Sequence, residues 1–268
     1  MIFASDLDNT LIHSYKRALP SDVCVEVKDG RALSFMTPEA RRMLRKVRDV
    51  CRFIPVTTRS LEQYRRLSLV EDAAPDFALV CSGAILLRHG EVDAEWLHES
   101  RETLKECAAH LENYAGFLSR FSPDVRIVDG FLIFAGFKHG DVESVNLAAS
   151  ETERVIDKKL FELQVVYGKI YIMPKALNKG IALSRLAGDR KDLLVCAGDS
   201  LLDLPMLEIA DISLVPPNYP VRRDHFVFAG PDNSVNFSEY VLKHVLTRAA
   251  AVPPPSPLFR KSHESHVR

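Results

Sequence analysis

Little in this chain of 268 residues points to a membrane, a disulfide scaffold or a nucleic-acid binder. No apolar run approaches the roughly 20 residues that a bilayer-spanning helix needs. Met1 leads straight into a strand-like segment, with no basic stretch and apolar run of a secretory signal before it, so a cytoplasmic protein is expected. The five cysteines, Cys24, Cys51, Cys81, Cys107 and Cys196, stand far apart and form no CxxC pair. Buried free thiols in a reducing compartment are therefore expected, not zinc ligands or disulfides. Charge of one sign is also lacking. The net charge of −1 supplies no general field for a polyanion, and no nucleic-acid or membrane partner is expected. The chain carries no internal repeat.

What is there is a globular composition. Apolar residues make up 47% and charged residues 26%, enough to build a packed core rather than a disordered chain. The length fits one large α/β domain or a core with a smaller second domain. The one compositional break is the tail from residue 250, where AVPPPSPLF loses all apolar periodicity. It is expected to be disordered, and the His263-Glu264-Ser265-His266 cluster within it is read as part of that tail, not as a metal box.

Along the chain, strands and helices alternate. Met1–Ala4 reads as a strand. Val23–Val27 and Ala32–Phe35 flank Lys28-Asp29-Gly30, a hairpin signal. Thr37-Pro38-Glu39 starts a helix running to about Val50, with Ala40, Leu44 and Val47 on one face. Its Arg41, Arg42, Arg45, Lys46 and Arg48 are read as a solvated face. A strand over Cys51–Val56, a helix from Leu61 and a strand over Phe77–Cys81 continue the rhythm of a parallel sheet with crossover helices. The rhythm then changes. A hairpin is expected with Ile85–Leu87 and Val92–Trp96 around His89-Gly90. A helix over about Ser100–Ser119, strands at Val125–Val128 and Leu132–Phe137, a helix over Val142–Lys158 and strands at Glu162–Val166 and Ile170–Met173 follow. This αββαββ order predicts an α+β unit inserted into the parallel-sheet core. The core resumes with a helix after Asn178-Lys179-Gly180, strands at Leu193–Ala197, Ile212–Val215 and Phe226–Ala229, and a last helix over Ser238–Arg248.

Three core strands end in polar clusters: Asp6-Leu7-Asp8-Asn9-Thr10, Thr57-Thr58-Arg59-Ser60 and Gly198-Asp199-Ser200-Leu201-Leu202-Asp203. An open parallel sheet brings the carboxyl ends of its strands to one edge, where ligands bind. Asp6, Asp8, Thr57, Asp199 and Asp203 are therefore expected to meet, with Lys179 arriving from a helix start. Four carboxylates at one point repel each other without a cation, and oxygen ligands call for a hard one: Mg2+ beside a phosphate fits best.

In these motifs, and in the insert between the second and third of them, the sequence resembles the haloacid dehalogenase superfamily of aspartate-dependent phosphatases over about residues 1–248. It is most similar to the sugar-phosphate phosphatase branch that includes sucrose-phosphate phosphatase. The resemblance implies a Rossmann-like parallel-sheet core (1–85 and 174–249) with an inserted α+β cap (86–173), and hydrolysis of a small phosphorylated metabolite. It implies Asp6 as nucleophile and Asp8 as proton donor to the leaving alcohol and then activator of water. Thr57, with Thr58, Arg59 and Ser82 nearby, would bind the phosphoryl group. Lys179 would neutralise that group and restrain Asp6. Mg2+ would be held by Asp6, the main-chain carbonyl of Asp8, Asp199 and Asp203. The cap would read the leaving group, with Ser82, Lys138, His139, Tyr167 and Lys169 as candidates near bends or strand ends. Leu202 stands where the family pattern often has asparagine, and Thr58 where it usually has glycine. The segment between Ile12 and Thr37 is longer than the compact pattern, and its hairpin is either a flap over the site or surface decoration. Two other readings remain: a catalytically weak or inactive phosphatase-fold binding protein, or a phosphoacceptor signalling domain. Neither explains both the second acid at Asp8 and the insert.

Overall fold

The computed structural model describes residues 1–68, 73–230 and 236–251. The expected disordered tail and its histidine cluster fall almost wholly outside the described residues.

In chain order the strands are β1 (Ile2–Ser5), β2 (His13–Ser14), β3 (Val23–Lys28), β4 (Arg31–Met36), β5 (Arg52–Pro55), β6 (Phe77–Val80), β7 (Ile85–Arg88), β8 (Glu91–Val92), β9 (Asp124–Val128), β10 (Leu132–Gly136), β11 (Phe161–Val166), β12 (Lys169–Pro174), β13 (Leu194–Ala197), β14 (Ile212–Val215) and β15 (Phe226–Phe228). The order β15-β14-β13-β1-β5 forms a parallel sheet. β1 lies inside it and is fully buried, because alternate side chains enter different apolar layers. Ile2 and Ala4 pack with Ala182, Leu183 and Leu186 of the helix Lys179–Ala187, and with Met206 and Leu207. Met1 and Phe3 pack on the other side with Leu44 and Val47 of the helix Pro38–Val50 and Val241 and Leu242 of the helix Phe237–Ala249.

The helix Pro38–Val50 begins as the sequence predicts. Thr37 Oγ1 accepts the backbone N–H of Ala40, and proline occupies the first turn. Arg42, Arg45, Lys46 and Arg48 are exposed, while Arg41 is half-buried. The hairpin β3–β4 also forms, with Asp29 and Gly30 at positive φ of 50° and 72° at its tip. β2 pairs antiparallel with β4, tying the hairpin to the chain that leaves β1. All five cysteines are free, and four are buried. Among the described residues no helix is long and apolar enough to cross a membrane.

Three local expectations need correction. Val92–Trp96 is not a strand beyond Val92: the helix Ala94–Thr103 begins there, because Asp93 accepts the Trp96 backbone N–H and caps it. The Trp96 indole N–H donates to Gly83 O at 2.9 Å, which anchors this helix to the core. The expected helix over Ser100–Ser119 is accordingly broken at Leu104, where a second helix, Lys105–Leu118, starts. The helix expected over Val142–Lys158 ends at Glu153.

The antiparallel sheet β11-β12-β10-β9 lies between two environments. Ile133, Ala135, Ile170 and Ile172 face the helices Lys105–Leu118 and Val142–Glu153 and form an apolar cluster with Leu111, Leu118, Val145 and Ala148. The alternate residues point the other way, toward the carboxyl edge of the parallel sheet.

Candidate active site

The chain after β1 makes a single tight turn. The N–H groups of Leu11 and Ile12 both donate to Leu7 O at 2.9 Å, and Asn9 takes a positive φ of 64°. Asparagine tolerates that conformation better than most side chains. The turn buries Leu7, Leu11 and Ile12 and leaves Asp6 and Asp8 facing one cavity of about 590 Å³.

The two aspartates meet different partners. Asp6 Oδ1 accepts from Lys179 Nζ at 2.5 Å, and the same ammonium donates to Asp203 Oδ1 at 2.5 Å. Lys179 and Asp203 are 1% and 0% exposed, so this bridge is sealed from water. Burial raises the Asp6 pKa well above the ordinary value; Lys179 opposes this, and Asp203, Asp199 and Asp8 add to it. For Lys179, burial disfavours the charge but Asp203 and Asp6 outweigh it and keep the proton on.

Asp8 instead takes two hydrogen bonds from Arg59, Nε to Oδ2 at 2.7 Å and Nη2 to Oδ1 at 2.8 Å. Burial pushes the Asp8 pKa up, but this bidentate guanidinium holds it below the usual carboxylate range. Arg59 is itself shared. Its Nη1 donates to Glu26 Oε2 at 2.9 Å and its Nη2 to Ser34 Oγ at 3.1 Å, both on the β3–β4 hairpin. Glu26, 4% exposed, also accepts from Arg66 at 3.0 Å and Ser34 at 2.6 Å. The hairpin is thus wired to the site through a buried ion-pair network, and it is more than surface decoration.

The third strand end follows a steric logic. A Cβ on Gly198 would lie 2.4 Å from Asp203 Cβ, and one on Gly180 would lie 2.2 Å from Pro205 O. Only glycine lets Asp203 fold back beneath the loop and lets the Lys179 helix approach it. Asp203 Oδ2 then accepts the N–H groups of Asp199 and Ser200 at 3.0 and 2.9 Å. Asp199 Oδ1 accepts from Thr10 at 3.3 Å and Oδ2 from the Tyr167 hydroxyl at 2.7 Å. Burial and neighbouring Asp203 push the Asp199 pKa up to about 7. Oxygens of Asp6, Asp199 and Asp203 lie within 4.8 Å of one another, and all three residues are buried. Three carboxylates against one ammonium leave surplus negative charge, so a hard cation fits this donor set.

Other expected residues are placed as follows. Thr57 is fully buried, and its Oγ1 accepts the Arg59 N–H at 3.1 Å. Thr58 and Arg59 line the cavity, as does Leu202. Ser82 does not: it is buried at φ 56°, with its hydroxyl 3.7 Å from Met173 Sδ. The strand-end bend that suggested it turns the side chain into the core instead. Tyr167 and Lys169 line the cavity, whereas Lys138 and His139 lie away from it. Several lining residues went unread in the sequence: Glu26, Ser34, Asp124, Arg126, Phe134 and Tyr171. Tyr171 is hydrogen-bonded with Thr58, and burial, then Asp8 and Asp6, push its pKa up to about 12.

No protein-family model and no curated protein matches the chain. Solved structures do. The C-terminal domain of the Candida albicans trehalose-6-phosphate phosphatase shares 16% identity at a TM-score of 0.58, covering 93% of this chain and 91% of that one. The Synechocystis sucrose-phosphatase, solved with sucrose and phosphate, shares 14% identity at a TM-score of 0.56, covering 92% and 97%. A sugar phosphatase of haloacid dehalogenase subclass IIB shares 14% at 0.53, covering 91% and 98%. The chain therefore has the haloacid dehalogenase-type fold, a Rossmann-like α/β sheet joined to an α+β unit, over nearly its whole length.

Proposed function

We propose that the chain is a Mg2+-dependent phosphomonoesterase that hydrolyses a small sugar phosphate or similar metabolite through an aspartyl-phosphate. The observation that carries this reading is the contrast between Asp6 and Asp8. Two carboxylates two residues apart face one cavity in different electrostatic settings, as nucleophile and proton carrier require. The names of the structural neighbours supply the substrate class.

In the first step Asp6 attacks phosphorus while the bond to the leaving oxygen breaks, and Asp8 delivers a proton to that oxygen. In the second, Asp8 takes a proton from water as it attacks the aspartyl-phosphate, releasing phosphate and restoring the Asp6 carboxylate. Asp8 is held charged by Arg59 when no ligand is present. Its turn as an acid therefore requires that pairing to loosen, and an entering phosphate dianion competes for the guanidinium. Thr57, buried just behind the lining residues Thr58 and Arg59, would donate its hydroxyl proton to a phosphoryl oxygen once the site opens to ligand. Lys179 restrains Asp6 and balances the charge of the transferring group. Asp6, Asp199 and the Asp8 carbonyl would hold Mg2+, which when bound would neutralise charge on the phosphoryl oxygens. Asp203, with both oxygens engaged, supports the metal site and positions Lys179.

The division into core (1–85 and 174–249) and cap (86–173) belongs to the same proposal, with a refinement from packing. Leu86 and Trp96 join the apolar layer of the parallel sheet, whereas Cys107, Leu111, Ile133, Val145, Ile170 and Ile172 build a cluster of their own; Val128, Leu132 and Phe134, on the other sheet face, pack with the core. The functional cap therefore starts near Leu104.

The test is a single turnover with a 32P-labelled monoester in Mg2+. Wild type should give transiently labelled protein and Asp6→Asn none. Turnover without a labelled species, or in that variant, would remove the covalent route.

A further inference from the structure

The face of the cap sheet that looks at the site has a definite charge. Register across the four strands sets Arg126, Phe134, Tyr171 and Gln164 in one cross-strand row. Asp124, Gly136, Lys169 and Val166 form the next. The guanidinium of Arg126 lies 4.3 Å from the centroid of Phe134, and the Lys169 ammonium 5.9 Å from the same ring. Both cations line the cavity that holds Asp6 and Asp8. Every other cation lining it is committed: Arg59 and Arg66 to carboxylates, Lys179 to Asp6 and Asp203. Arg126 and Lys169 have no ion-pair partner among the described residues. An aromatic ring fixes a cation in place without neutralising it. Asp124 on the same face takes one charge back, so the row keeps a net positive charge and one carboxylate acceptor for hydroxyls. Gly136 keeps the middle of this face open, since a Cβ there would lie 2.5 Å from an Asp124 oxygen.

Resting on the phosphatase reading above, we infer that the leaving group itself is anionic: a polyol or sugar bearing a carboxylate or a second phosphate opposite the scissile one. A neutral leaving group would leave two ring-held cations facing it unused. A cavity of about 590 Å³ suits a metabolite of this size. Arg126 takes the distal anion in a fork, and Lys169 adds a point charge between it and the reacting centre.

Three acyclic six-carbon substrates separate the possibilities: glucitol 6-phosphate, 6-phosphogluconate and glucitol 1,6-bisphosphate. The wild-type enzyme in Mg2+ should favour at least one of the two with an extra anion over glucitol 6-phosphate by tenfold or more in kcat/KM. Which one it favours tells carboxylate from phosphate. The preference should lie mainly in KM and shrink as salt is raised, because the cations are solvent-exposed. In Arg126→Gln/Lys169→Gln the ratio should fall to about one. A wild-type ratio near one, with turnover of all three intact, overturns the inference and leaves the phosphatase reading standing. An unchanged ratio in the variant, with all three substrates losing alike, assigns the cations to the transferred phosphate and also overturns it. No turnover of any of the three fails both readings together. The salt dependence of the wild-type ratio decides the matter even where the double variant folds poorly.

Discussion

The two walls of the cavity are built on opposite electrostatic plans. On the core wall three carboxylates are buried together, and two of them, Asp6 and Asp203, share the Lys179 ammonium. On the cap wall two cations share one phenyl ring, with no ion-pair partner among the described residues. The core wall is short of positive charge and mostly buried, which suits the proposed metal and phosphoryl group. The cap wall is short of negative charge and open to water, which suits the proposed recognition of a ligand's far end. Between them stands Arg59, paired on one side with Asp8 and on the other with Glu26 of the hairpin.

The core wall is the easier to break. Asp6→Asn should lower kcat by on the order of four powers of ten or more, while the protein without Mg2+ melts no lower than wild type. The asparagine keeps the shape and removes a carboxylate that burial opposes. Loss of folding in circular dichroism would show that the Asp6 charge is structural.

Lys179→Met should come next. It strips the only ammonium from Asp6 and Asp203, and breaking a buried pair in this way costs about 3–5 kcal/mol. Urea denaturation without metal measures it. A change under 1 kcal/mol would mean that the carboxylates had already taken up protons.

Glu26→Gln tests the link between the walls. Arg59 would then serve Asp8 alone, holding it more firmly in the charged form. The phosphorylation step on an alkyl phosphate should slow about tenfold, and the high-pH limb of kcat/KM, where the Asp8 proton is lost, should move to lower pH. A uniform loss without movement of that limb would reduce Glu26 to a structural brace.

The smallest effect concerns pH in the absence of metal. The Asp199 pKa is about 7 in the folded protein, against about 3.9 for an unfolded aspartate. The folded state binds the extra proton in between. The contribution of Asp199 to stability is therefore greatest below pH 4 and is lost as pH rises through 7. Between pH 5.5 and 8 the melting temperature should fall on the order of 5 °C, and Mg2+ should abolish the trend. A flat profile in EDTA would remove Asp199 from the surplus charge of the core wall.

Legibility differed between the walls for a physical reason. Asp6, Asp8, Asp199, Asp203 and Lys179 are readable because a parallel sheet gathers its strand ends at one edge, whatever the intervening chain does. The hairpin at residues 23–36 announced itself through Lys28-Asp29-Gly30. Glu26 did not, since an acid within a strand reads as solvent-facing until Arg59 and Arg66 arrive from elsewhere to cover it. Arg126 and Phe134 meet only through antiparallel register, which short strands leave unspecified in the sequence. Lys138 and His139 were expected at the site because bends often carry function; their bend follows the Gly136 row, but neither side chain lines the cavity. Trp96 reads as a strand residue because its aromatic side chain favours strands, whereas Asp93, directly after Val92, supplies the stronger local signal for a helix.

The position of β1 has a consequence for how the protein is made. Ile2 pairs with Arg52 on one side and with Leu194 on the other. β1 leaves the ribosome before either neighbour, and its second neighbour emerges only after the whole α+β unit has been synthesised. Until then β1 has an open edge on a mostly apolar strand, the kind of edge that pairs with other chains. Contacts so distant along the chain also slow folding. Nascent chains that stop before β13 should therefore be insoluble, and Asp6 acquires Lys179, Asp199 and Asp203 only after the α+β unit has been made.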